Sequence, residues 1–101
     1  MKHLYLFIGD PATGKSILAR KFTKDIEVID DFVAVYDAKK VIRLLIKDPK
    51  DRIIITSDVN GMKKFVRLLC CDEIKENYLV TACMFGRLND GRNKNDEPPM
   101  A

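Results

Sequence analysis

Residues Gly9 to Ser16 read Gly-Asp-Pro-Ala-Thr-Gly-Lys-Ser and satisfy the pattern G-x-x-x-x-G-K-[ST] without substitution. Such a stretch can hold a chain of phosphates. Gly9 and Gly14 allow tight backbone turns and leave room for phosphate oxygens. The N–H groups of Gly9, Asp10, Ala12, Thr13, Gly14, Lys15, Ser16 and Ile17 can then converge at a helix N-terminus, where partial positive charge favours an anion. Pro11 belongs to the loop but brings no donor. Lys15 is expected to reach the β- and γ-phosphates, and the Ser16 hydroxyl to ligate Mg²⁺. Two further polar clusters follow apolar runs. Asp30-Asp31 follows Val28-Ile29, and Ser57-Asp58 follows Ile53–Thr56. A phosphate loop needs a second carboxylate on the metal side from a neighbouring strand, and both clusters are candidates. Two adjacent carboxylates repel unless a cation lies near, which favours the pair, whereas an aspartate beside Asn60-Gly61 is equally a turn or helix cap.

The elements that would position these residues alternate in type. Lys2–Ile8 reads as a strand apolar on both faces, and Gly14–Lys24 as a helix with Ile17, Leu18 and Phe22 on one side. Ile26, Val28 and Ile29 suggest a short second strand within 25–32 that ends in Asp30-Asp31, and 32–36 reads as its extension or as a packed loop. Asp37 is expected to cap a helix over Ala38–Lys47 that Asp48-Pro49 ends. Arg52–Thr56, with three consecutive isoleucines, reads as a buried strand. Asn60-Gly61 reads as a turn. Met62, Phe65, Val66 and Leu69 then fall at i, i+3, i+4 and i+7, which predicts an amphipathic helix to about Glu76, stopped at Asn77. Tyr78–Phe85 reads as a fourth strand.

This βαβαβαβ order predicts a three-layer α/β fold, a mostly parallel sheet of about four strands with helices on both faces. The ligand is expected at the carboxyl ends of the strands. Residues 1–86 form the expected domain. Residues 87–101, rich in Gly, Asn, Asp and Pro, read as a disordered tail.

The 101 residues allow one domain with a modest core, and net charge +3 suits a polyanionic partner without demanding one, since Lys and Arg are scattered along the chain. No apolar run has membrane-spanning length, and Leu4–Ile8 is too short for a signal core, so neither membrane nor leader is expected. Cys70, Cys71 and Cys83 are odd in number with two adjacent, a poor disulfide framework. With His3 as the single histidine no zinc site is visible, so buried, reduced, cytoplasmic thiols are expected.

The succession GDPATGKS, VIDDF (Val28–Phe32) and IIITSD (Ile53–Asp58) resembles a compressed AAA+-type P-loop NTPase, most similar to superfamily 3 helicases of small viruses and to helicase-loader ATPases. The resemblance covers Leu4 to about Asp58. It implies hydrolysis of ATP or GTP with Mg²⁺, with Asp30 assisting the metal, Asp31 orienting or deprotonating water, and Asp58 at the sensor position, where the families usually carry Asn. It further implies a nucleic-acid partner, a homo-oligomer in which Arg67 or Arg87 reaches a neighbouring subunit, and a cytoplasmic protein, or a host-cytoplasmic or nuclear one if viral. A weaker resemblance is to P-loop kinases of the polynucleotide-kinase kind. It implies transfer of the γ-phosphate to a hydroxyl, with Asp30 or Asp31 as base and Asp58 serving the metal. A nucleotide-binding module without turnover is the third reading of the same loop.

Overall fold

The computed structural model describes residues 1–10, 14–22 and 26–86. The elements are β1 (Lys2–Gly9), α1 (Lys15–Phe22), β2 (Glu27–Ile29), α2 (Ala34–Lys47), β3 (Arg52–Thr56), α3 (Val59–Leu68), α4 (Asp72–Lys75) and β4 (Tyr78–Phe85). The four strands form one parallel sheet in the order β2-β3-β1-β4. Leu4 pairs with Arg52 and Ile8 with Thr56, so the two most apolar strands lie side by side at the centre.

Strand alternation sorts the core into two layers. Leu4, Leu6, Ile8 and Ile54 face α2, α3 and α4 and pack with Val41, Leu45, Met62, Phe65 and Ile74. Phe7, Ile53 and Ile55 face the other way and pack with Ala19 and Leu18 of α1. Helices thus cover both faces of an α/β parallel sheet. Unlike β1 and β3, β4 is an edge strand, and Leu79, Val80 and Met84 are exposed on it.

Several local expectations are corrected. β2 is the short strand expected before the acidic pair, but 32–36 neither extends it nor stays a loop: Asp31 adopts a left-handed backbone (φ 53°) that turns the chain and buries Phe32 against Phe65, and a helix follows at once. α2 starts at Ala34, a turn before Asp37. Asp37 lies inside the helix, and its carboxylate accepts from the Val33 N–H at 2.9 Å. Asn60-Gly61 is not a turn but the first turn of α3. The helix expected to reach Glu76 breaks after Leu68. An unbroken helix carrying Leu69 inward would bring Asp72, Glu73 and Glu76 onto the same face at i+3, i+4 and i+7. Restarting at Asp72 puts Ile74 in the core instead, fully buried. The break leaves Cys70 exposed, against the expectation of buried thiols; Cys71 and Cys83 are half-buried, and all three are free.

The amino ends of the strands are held by a charge that sequence reasoning passed over as the start of a strand. Arg52 is fully buried. Its Nε donates to Glu27 Oε1 at 2.8 Å, Nη1 to the Asp48 carbonyl at 2.7 Å, and Nη2 to Asp48 Oδ2 at 3.2 Å. The Tyr78 hydroxyl lies 3.4 Å from Nη1 and itself donates to the Leu45 carbonyl at 2.8 Å. One guanidinium fork therefore ties β2, the end of α2, β3 and β4.

Candidate functional site

The carboxyl ends of β1, β3 and β2 lie along one edge of the sheet and deliver Gly9-Asp10, Ser57-Asp58 and Asp30-Asp31 in that spatial order. Neighbouring strands are about 4.8 Å apart, so the acidic pair stands two strand spacings from the loop, with the end of β3 between them.

Gly14 has φ +85°, a conformation open to glycine, and the first intrahelical bond runs from the Leu18 N–H to its carbonyl at 3.0 Å. The first turn of α1 follows at once, with Lys15, half-buried Ser16 and exposed Ile17 at its amino end. Gly9 is required for a different reason from the one expected. A Cβ there would stand 2.0 Å from the Phe85 carbonyl oxygen, because β4 lies directly alongside in register. Pro11, Ala12 and Thr13 lie outside the described residues, as do Arg87 and the rest of 87–101.

Lys15 is buried at 6% exposure, and its ammonium is held at the turn out of β1. Nζ donates to the Gly9 carbonyl at 2.7 Å, to the Asp10 carbonyl at 2.6 Å and to Ser57 Oγ at 3.3 Å. It thus bridges from the loop to the neighbouring strand end. Ser57, not Asp58, is the side chain of that strand end that meets Lys15. The sequence signal for it was available, since it is the first hydroxyl beyond the buried run Ile53–Thr56.

Asp58 is engaged elsewhere. Oδ1 accepts from the Gly61 N–H at 3.1 Å and Oδ2 from the Ala34 N–H at 3.2 Å. It caps α3 and α2 together, with one oxygen for each helix N-terminus. Gly61 makes this possible, since a Cβ on it would lie 2.0 Å from Oδ2 and 2.9 Å from the Ala34 Cβ. Asp58 thus has the helix-cap role that the sequence offered beside the sensor and metal-side roles, here for two helices at once.

Asp30 and Asp31 remain exposed. Asp30 Oδ1 accepts from the Asp31 N–H at 2.8 Å, which braces the left-handed turn. The next residue fastens this turn to β3, through the Phe32 N–H to the Ile55 carbonyl at 3.0 Å and Thr56 Oγ1 to the Phe32 carbonyl at 2.5 Å. The acidic pair is therefore anchored to the strand that meets Lys15. Among the described residues no group of three or more His, Cys, Asp or Glu side chains could hold a metal ion alone. Mg²⁺ does not need one, since it is usually bound by one or two carboxylates together with substrate phosphates and water. Ser16 and Asp30 are oxygen donors of that kind, one at the start of α1 and the other at the end of β2, two strands from β1.

Among the described residues no helix is long and apolar enough to cross a membrane. Comparison of the chain with protein-family models, with curated proteins and with solved structures returned no match.

Proposed function

We propose that this chain binds ATP or GTP with Mg²⁺ at Gly9–Ile17 and hydrolyses it, as a minimal P-loop NTPase. The observation that carries the reading is Lys15. A lysine head buried against the Gly9 and Asp10 carbonyls, 3.3 Å from Ser57, is a cation kept at the mouth of a loop that opens an α-helix. When phosphates bind, the head exchanges these carbonyls for phosphate oxygens, and the first-turn N–H groups of α1 add the helix-terminal field. Ser16 and Asp30 would hold Mg²⁺, which supplies charge neutralisation on the phosphates. Asp31 would orient the attacking water or take its proton.

Hydrolysis is preferred to transfer onto a hydroxyl because of how Asp58 is bonded. The kinase reading assigns Asp58 to the metal, and both of its oxygens are already bonded to helix N–H groups. The hydrolase reading takes both its metal ligand and its base from Asp30 and Asp31 and leaves Asp58 only the sensor position; the strand order β2-β3-β1-β4 suits either reading. The arginine that stabilises transition-state charge often comes from a second subunit. Arg67 is exposed on α3 and could reach only another copy of the chain, since it lies about 12 Å along the helix from the end nearest the site.

The test is phosphate release from ATP and GTP with Mg²⁺ at several protein concentrations, beside nucleotide binding. Lys15→Ala should abolish both, and Asp31→Asn should abolish release while leaving binding. Release that persists in Lys15→Ala overturns the site. Release only when a hydroxyl acceptor is added replaces hydrolysis by phosphotransfer, and Lys15-dependent binding with no product leaves a silent module.

A further inference from the structure

The basic residues that look scattered along the sequence are gathered by the fold. α2 and α3 lie side by side on one face of the sheet, directing Val41, Leu45, Met62 and Phe65 inward. On α2, Tyr36, Lys40, Arg43 and Lys47 recur at i, i+4, i+7 and i+11, opposite Val41 and Leu45, and form an outward stripe about 16 Å long. Lys39 is exposed as well. On α3, Lys63, Lys64 and Arg67 are likewise exposed, away from Met62 and Phe65. Among the described residues the only ion pair on this surface is Lys40–Asp37, long at 3.9 Å. Asp58 is occupied by helix caps, and Asp72, Glu73 and Glu76 lie beyond α3, on α4 and at its C-cap. Natural surfaces usually intersperse both signs, so two adjoining helices on which half-buried Asp37 is the one acid among Lys39, Lys40, Arg43, Lys47, Lys63, Lys64 and Arg67 form an electrostatic footprint.

Aromatic and apolar surface is set into this field. Tyr36 is 82% exposed and Val35 81%, at the end of α2 nearest the candidate nucleotide site. Beside them a groove of about 390 Å³ runs between the helices, lined by Val35, Ala38, Phe65 and Leu68, with Lys64 on its wall.

We infer that the outer α2/α3 surface binds single-stranded nucleic acid, with phosphates along Lys40, Arg43, Lys63 and Lys64 and a base stacked on Tyr36. Exposed cations, of which among the described residues only Lys40 has an ion pair and that a long one, answer the phosphates, and an exposed ring in line with them answers the base. That combination characterises single-strand recognition; an acidic peptide would have no use for the ring. For any coupling to turnover the inference rests on the hydrolase reading above, but the binding itself does not.

The experiment is titration of a labelled oligothymidylate at about 50 and about 200 mM salt, without nucleotide. Binding should weaken steeply with salt. Lys40→Glu with Arg43→Glu should weaken it more than tenfold and flatten the plot of log affinity against log salt by about 0.7 per phosphate contact removed. Tyr36→Ala should weaken it about tenfold. Lys21→Glu, on α1 across the sheet, should change it little. All of these side chains are exposed, and circular dichroism with Lys15-dependent nucleotide binding confirms that each variant is folded. No binding at the lower salt overturns the inference, even where nucleotide turnover is intact. Equal loss in Lys21→Glu overturns it, as does equal affinity for polyglutamate. Duplex bound as tightly as single strand, with Tyr36 irrelevant, also overturns it.

Discussion

Replacing Asp58 separates a residue of the chemistry from a residue of the scaffold. Its two oxygens hold the Gly61 and Ala34 N–H groups, so Asp58→Ala uncaps α3 and α2 in one step. A side-chain cap is worth about 0.5–2 kcal/mol, so losing two should cost about 2–3 kcal/mol. In a domain of this size that lowers the melting temperature by about 10–20 °C. Asparagine keeps one acceptor oxygen, so Asp58→Asn should cost about half as much. Gly61 supplies an internal control. Gly61→Ala alone must push Asp58 Oδ2 from a position only 2.0 Å away, and should destabilise. In the Asp58→Ala background most of that obstruction is gone, and the same change should cost less or even stabilise by up to about 1 kcal/mol through helix propensity. Urea and thermal unfolding of the four proteins close the cycle, with phosphate release measured beside it below the lowest midpoint. An Asp58→Ala protein that melts with wild type yet has lost turnover would refute the capping argument and return Asp58 to the chemistry.

The remaining predictions concern the two ends of the sheet. Arg52→Met removes the fork that joins Glu27, Asp48 and Tyr78 and leaves the Asp48 carbonyl and Tyr78 hydroxyl short of partners; unfolding should show a loss of about 2–4 kcal/mol. The Arg52 hydrogen bond, and after it Lys50, holds the Glu27 carboxyl below its usual 4.5 against opposing desolvation. Glu27 therefore adds stability above about pH 4.5 that is lost as pH falls through its lowered folded value. Glu27 is partly exposed, so the effect is small, and Glu27→Gln should flatten this part of the acid-unfolding curve. Gly9→Ala drives a Cβ into the Phe85 carbonyl, a backbone atom that cannot turn aside; β4 must shift, with a cost of about 1–3 kcal/mol and weakened nucleotide binding.

What the sequence by itself determined is whatever depends on near neighbours along the chain. Alternating apolar runs and amphipathic stretches announced a parallel α/β sheet: β1 and β3, where burial on both faces leaves a continuous apolar run, and β4, whose equally apolar run lies on an exposed edge. The motif from Gly9 to Ser16 marked the loop, since glycine at the αL position Gly14 and lysine at the helix start are local requirements. The tertiary structure decided what depends on partners far along the chain. The order β2-β3-β1-β4 puts Ser57 rather than Asp58 beside Lys15, a contact across 42 residues. Asp58 becomes a double cap only because the start of α2 comes to lie beside the start of α3, 24 residues on. Asp58 read locally is equally a turn, a cap or a sensor. Arg52 looks like an edge charge until Glu27, Asp48 and Tyr78 close around it. The basic residues of α2 and α3 are separated in sequence and become one surface only when the two helices pack, because field adds through space and not along the chain.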